Sequence, residues 1–377
     1  MKVETLAVHA GAAPDPSTGA VSPPIVLSTT FEHGPASESL HGFTYIREDN
    51  PTQARLEEAL KAVEGGEAAL AFASGMAAGT SYLQALPVGA HVLFQDDLYY
   101  DFRNVAREFL PRWGMTSTAV DMGDLDAVRA ALKPETKLVW LETPSNPLMR
   151  VCDIAAITGM AHAVGARVLV DGTFAPPTIQ RPLDLGADAV LHSTTKYLGG
   201  HSDVQGGALV VRKKDEQYEG VRHARKVLGG VASPFNSWLV LRGLRSLGCR
   251  VDRHCANALV VAQALAAHPN VSAVHYPGLE SHAGWAVARR QMRGLRRDAV
   301  VPGQGRTGRR RAGRLAGAPL HPRHQPRRHG EPDRAPSLVG GADLANARRS
   351  AACIGRPRAP RRPGGRLAAR PHPLALA

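Results

Sequence analysis

Between residues 50 and 230, short apolar runs alternate with stretches of helical period, and this alternation limits the possible folds more than any other feature of the chain. The runs are Ala68–Phe72, His91–Phe94, Lys137–Leu141, Arg167–Val170, Ala189–Leu191 and Ala208–Val211. They are too short for buried helices and apolar almost throughout, the pattern of strands covered on both faces. Leu125–Leu132 and Ile154–Val164 carry helical patterns between them. Strands alternating with helices predict a doubly wound α/β domain, its mainly parallel sheet flanked by helices.

Asn50-Pro51 reads as an N-cap with proline at the first helical position. Leu56, Leu60 and Val63 follow at helical spacing, and Gly65-Gly66 stops the helix. Residues 1–50 then form an N-terminal arm and 51–232 a large domain. From Ser233-Pro234-Phe235 a long amphipathic stretch runs through Trp238, Leu241, Leu244 and Leu247 to Ala267. It predicts a connecting helix into a smaller α+β domain, begun within 233–293, with Val271–Tyr276 as that domain's first strand.

In an open α/β sheet, ligands gather beyond the carboxyl ends of the strands. Five strand ends here carry reactive or polar residues: Ser74-Gly75-Met76, Asp96–Tyr99, Glu142–Asn146, Asp171 and Ser193–Lys196. Lys196 follows two hydroxyl residues and precedes the turn Gly199-Gly200. Its amine suits Schiff-base chemistry with an aldehyde, which needs the neutral form and hence burial near other cations. The hydroxyls and open backbone N–H groups suit a phosphate. Singly, each residue has a plainer reading: a surface lysine, a helix-capping Asp171, a loop aromatic at Tyr99, a turn at Asn146-Pro147. Convergence of five ends on one crevice argues for a site.

The chain has 377 residues and is 44% hydrophobic, enough for two domains with their own cores. Cys152, Cys249, Cys255 and Cys353 form no CxxC pair, so neither a disulfide framework nor a zinc site is indicated. Met1–Thr5 leads into no apolar signal core, and no run is long enough to span a bilayer, which predicts a cytoplasmic protein.

In this order, the residues resemble the pyridoxal-phosphate enzymes of cysteine and methionine metabolism, the transsulfuration family. The resemblance covers residues 1–293 through Thr44–Thr52, Ser74-Gly75-Met76, Glu142–Pro147, Val170–Phe174 and the Lys196 segment. It implies the fold-type-I architecture, a mainly parallel seven-stranded sheet with a smaller C-terminal domain. By resemblance, Lys196 binds pyridoxal phosphate and later moves protons at the substrate's Cα and Cβ. Asp171 keeps the ring nitrogen protonated, and Tyr99 stacks on the ring and joins the catalytic set. Ser74, Gly75, Met76, Ser193 and Thr195 serve the phosphate, and Asn146 sits by the phenolic oxygen. Tyr45 and Arg47 complete the phosphate site of a neighbouring subunit, implying homodimers paired into homotetramers. The implied activity is γ-elimination or γ-replacement on sulfur amino acids or homoserine esters, most like cystathionine γ-synthase. Cystathionine γ- and β-lyases, methionine γ-lyase and the homoserine-ester sulfhydrylases remain open.

The family pattern is departed from at Asp49 and Gly172, usually glycine and asparagine. It is also departed from at Tyr100-Asp101, usually two glycines, and at Asn104, often arginine. These changes bear on substrate more than on cofactor. A larger break falls at Gly294. Residues 294–377 hold 19 Arg, no Lys, 4 acidic residues and no Phe, Trp or Tyr, while the first 293 hold 27 basic and 29 acidic residues. The net charge of +13 thus belongs to the last segment. Gly294–Val301 is what a family-like Gly-Phe-Gly-Gly-Met-Leu-Ser-Phe yields when read one nucleotide out of register. His321–Ala335 and Ser350–Arg366 re-read in the same way. The sequence therefore predicts a single frameshift near Gly294 and a disordered tail. The family's substrate-carboxylate arginine would be written across the Ala352 codon in the other frame. A cofactor-binding pseudoenzyme is then a second reading. Nucleic-acid binding by the Arg-rich tail is a third, but it lacks aromatic residues and a recognition helix, so no specific nucleic-acid partner is predicted.

Overall fold

The computed structural model describes residues 1–293; residues 294–377, where the frame change and disorder are read, lie outside the described residues. The strands are β1 Ala68–Phe72, β2 His91–Gln95, β3 Thr116–Val120, β4 Thr136–Glu142, β5 Arg167–Asp171, β6 Ala189–His192 and β7 Gly207–Val211. They form one sheet in the order β1-β7-β6-β5-β4-β2-β3. β7 runs antiparallel to β1 and β6, and the remaining pairs are parallel. This is the mainly parallel seven-stranded sheet expected. All six apolar runs became strands. β3 escaped the apolar-run criterion because Thr116–Val120 lies at the sheet edge with no residue fully buried.

The helices are α1 Val3–His9, α2 Pro51–Glu64, α3 Gly75–Gln84, α4 Tyr100–Asn104, α5 Leu125–Ala131, α6 Ile154–Ala163, α7 Glu216–Leu228, α8 Pro234–Leu244, α9 Leu247–Ala266 and α10 Trp285–Gln291. Alternate strand residues point to opposite faces, so each run feeds two cores. Phe72, Phe94, Trp140 and Leu169 pack with Tyr82 of α3, Phe102 of α4 and Val221 of α7. On the reverse face, Ala71, Val190 and Val210 meet Leu56 and Leu60 of α2 and Leu241 of α8. Val139, Leu141 and Val168 there meet Ile154 and Ile157 of α6. Among the described residues, no helix is long and apolar enough to cross a membrane.

Local sequence explains the borders. Asn50 caps α2 by accepting from the N–H groups of Thr52 at 2.9 Å and Gln53 at 3.4 Å. Gly65 ends that helix at φ +75°, the left-handed conformation glycine adopts without strain. The single connecting helix expected after Ser233 is two helices, α8 and α9. The chain tightens between them, Ser246 N–H bonding back to the Gly243 carbonyl at 3.2 Å. Gly243 cannot be larger: a Cβ there would lie 2.3 Å from the Gly199 carbonyl oxygen, just past Lys196. The strand expected at Val271–Tyr276 does not form. Only His275 makes a bridge, and no strand among the described residues offers these residues a ladder.

Candidate active site

All the strands but β7 end on one edge of the sheet, and register fixes what meets there. Glu142 at the end of β4 pairs with Asp171 at the end of β5, and Asp171 with Leu191 of β6. Glu142 and Asp171 continue the rows of Trp140 and Leu169, so both project on the face covered by α3, α4 and α7. His192 takes the opposite parity and points to the α2 side, where its Nε2 lies 2.5 Å from Glu64 Oε1.

The β1–α3 turn closes one side of this crevice. Ser74 caps α3 through its Oγ, which accepts from Ala77 N–H at 3.0 Å, leaving the first-turn N–H groups of Gly75 and Met76 free of helix partners. A Cβ on Gly75 would fall 3.1 Å from Ser193 Cβ, so the helix N-terminus is brought directly against the residue after β6. Ser193 N–H bonds Thr173 Oγ1 at 2.9 Å, and Thr173 N–H bonds Asp171 Oδ1 at 3.0 Å. Thr195 Oγ1 accepts from Gly206 N–H at 3.1 Å. Ser74, Gly75 and Met76 at the start of α3 thus lie beside Ser193, which Thr173 links to Asp171, and Thr195 and Lys196 follow Ser193 along the chain.

Tyr99 and Asn146 join them through Glu142. Tyr99 N–H donates to Glu142 Oε2 at 2.8 Å, and the Asn146 backbone N–H also reaches that carboxyl. The Tyr99 ring meets Phe102 edge-on at 6.2 Å. Behind them, Asp97 accepts from Gln95 Nε2 at 2.6 Å and Ser145 Oγ at 2.5 Å, while Arg150 spans Asp96, Asp97 and Asp121.

Burial dominates the electrostatics. Asp171, 5% exposed, is pushed above the usual carboxylate range by desolvation, opposed by its bonds from Thr173 and by His192. Glu142, 2% exposed, is pushed well above that range by desolvation and then by the charge of Asp171. Burial and then Asp101 raise the Tyr99 phenol.

One expectation changes: Lys196 is exposed in the single chain, not buried, because it stands on the open side of the turn while Tyr197 and Leu198 carry the packing. Tyr45 and Arg47, expected to serve a neighbouring subunit, lie against α7. Arg47 lies 5.5 Å from the Tyr45 ring centroid and donates to the Lys226 carbonyl at 2.9 Å, on α7. The departures find local reasons: Asp49 accepts from Arg222 at 2.9 Å, and a side chain at Gly172 would start 2.9 Å from His192 Cε1. Asn104 is bonded within its own segment, to Asp101 and Arg107. Glu142 was named from sequence as a strand-end residue without a role, and Thr173 and the Glu64–His192 pair were given none. His192 could have been found as the polar residue closing an apolar run, but Glu64 lies 128 residues from it and nothing in the sequence links them.

Asp171 is a buried carboxylate with no Lys or Arg paired to it among the described residues, which fits a protonated ring nitrogen. Gly75 set against Ser193 fits a phosphate at a helix start. The model of the Cys/Met metabolism pyridoxal-phosphate-dependent enzymes matches residues 4–301. Cystathionine gamma-synthase of Mycobacterium bovis is 49% identical over 311 residues, covering 82% of this chain and 79% of that protein. Cystathionine beta-lyase of Coxiella burnetii is 43% identical over 296 residues, covering 77% and 75%. The structure of cystathionine gamma-lyase from Lactobacillus plantarum complexed with L-serine superposes with a TM-score of 0.75 at 40% identity, covering 78% and 76%. The chain therefore belongs to the pyridoxal-phosphate-dependent enzymes of cysteine and methionine metabolism, and pyridoxal phosphate is its cofactor.

Proposed function

We propose that this enzyme performs γ-replacement or γ-elimination on a homoserine ester or a sulfur amino acid, in the manner of a cystathionine γ-synthase. The observation that carries the reading is the crevice itself: Asp171, Lys196 and the start of α3 on one sheet edge, in a chain about half identical to a cystathionine gamma-synthase. Bound, the cofactor supplies an electron sink for charge developing at the substrate's Cα. Asp171 accepts the ring N–H and holds it protonated. Lys196 would hold the cofactor through Nζ and would move protons at the substrate's Cα and Cβ. Tyr99 would stack on the ring, and Asn146 would serve its phenolic oxygen. Ser74, Gly75, Met76, Ser193 and Thr195 hold the phosphate at the positive end of α3.

Tyr45 and Arg47 serve the crevice of a neighbouring subunit, so the working unit is a dimer, paired into a tetramer. The arm supports this: between residues 8 and 49 only Pro23 is buried, and Val21, Leu27 and Leu40 stand open. We also retain the domain reading of an arm at 1–50, a cofactor domain at 51–232, a connector at 233–293 and a frame-shifted segment from 294. The composition break at Gly294 favours one rival, a protein that binds the cofactor without turning substrate over. The purified protein, given pyridoxal phosphate and then a homoserine ester with cysteine, or cystathionine alone, separates them. Visible absorbance with turnover supports the enzyme, and colour without turnover the rival. No colour removes both.

A further inference from the structure

We propose that Glu142 is a positioning residue which, held as a neutral acid, anchors Tyr99 at the crevice and leaves Asp171 as the one charged carboxylate there. The inference rests on the roles of Asp171 and Tyr99 given above. Glu142 and Asp171 are paired residues of adjacent strands on one face, and strands lie about 4.8 Å apart. Two neighbouring carboxyls on one face of a dry layer do not both stay ionised; burial and like charge return a proton to one. Their neighbours decide which. Asp171 accepts from Thr173, with the imidazole of His192 across the sheet and the ring N–H to come. Glu142 accepts the backbone N–H groups of Tyr99 and Asn146, but desolvation and the charges of Asp171 from β5 and Asp97 beyond β2 outweigh them, and the Cys152 thiol and Tyr99 phenol beside it bring no positive charge. The guanidinium of Arg150 is engaged by three aspartates, Asp96, Asp97 and Asp121.

A neutral carboxyl still accepts through its carbonyl oxygen, so the bond from Tyr99 N–H survives protonation. That bond ties the residue before α4 to the end of β4. Tyr99 is 40% exposed, and its side chain is otherwise held by an edge-on contact with Phe102 and a hydrogen bond from its hydroxyl to Asp101. A charged Glu142 would instead put a second negative group beside Asp171 and compete for the ring proton.

Infrared spectra of the holoenzyme and its Glu142→Gln variant at neutral pH test this through the carboxylic-acid C=O stretch. The wild type should show a band that Glu142→Gln removes. In Asp171→Asn the same band should titrate away at lower pH, because the neighbouring charge is gone. Cofactor affinity, read from tryptophan quenching as pyridoxal phosphate is titrated into apo-protein, should stay within about twofold in Glu142→Gln. It should fall about tenfold in Glu142→Ala, the worth of one hydrogen bond. A band that survives in Glu142→Gln, or Gln proving as damaging as Ala, overturns the proposal. The infrared arm reads equally well on apo-protein, so a failure of the cofactor roles would show separately, as wild-type protein that binds no cofactor.

Discussion

Asp171 and Glu142 are acids held in a layer without water, and the folded chain answers to pH accordingly. Both are raised above the usual carboxylate range, so above about pH 4 the folded state binds more protons than the unfolded one. Their contribution is complete below that range and declines as pH rises through the folded values. In apo-protein the stability gap between Glu142→Gln and wild type should therefore widen with pH, by up to about 1.4 kcal/mol per unit while Glu142 keeps its proton. Denaturant unfolding between about pH 5 and pH 7 measures it; a constant gap contradicts it. At this scale the sequence was informative where residue type carries the chemistry. Lys196 and Asp171 stood out as reactive groups closing apolar runs. Glu64 did not, since its value lies wholly in meeting His192 across the sheet.

Elements hold the crevice by close approach. Gly79 sits mid-way along α3, and a Cβ there would lie 2.4 Å from Phe102 Cε1 and 2.5 Å from Trp140 Cη2. Both rings are buried and pack on each other at 4.5 Å, so neither can yield cheaply. Gly79→Val should cost about 1–3 kcal/mol of stability by overpacking and lift the α3 N-terminus off Ser193. Thermal unfolding and cofactor titration should both report it, and a variant with unchanged cofactor affinity would contradict the link between α3 seating and the phosphate site. Six strands and the Asn50–Gly65 helix were legible because apolar runs and caps are local signals. The edge strand β3, the break between α8 and α9 and the failure of Val271–Tyr276 to form a strand were not, because each depends on what lies alongside.

For the molecule as a whole, charge and family likeness part company near one position. The family match ends at residue 301, seven residues past Gly294, where composition turns basic. The gene sequence around codon 294 should, in the adjacent frame, continue the family's C-terminal domain, including an arginine across codon 352. An adjacent frame closed by stop codons contradicts that reading. The sheet, the converging strand ends and the composition break were all visible in the chain, whereas the partner-serving role proposed for Tyr45 and Arg47 concerns a second copy that no single sequence displays. The central claim is the covalent hold of one amine on the cofactor. Borohydride reduction of the pyridoxal-phosphate-loaded protein, followed by peptide mapping, tests it most directly: a pyridoxyl group on Lys196 and nowhere else is the predicted result, and a label on any other lysine, or none, would contradict the account.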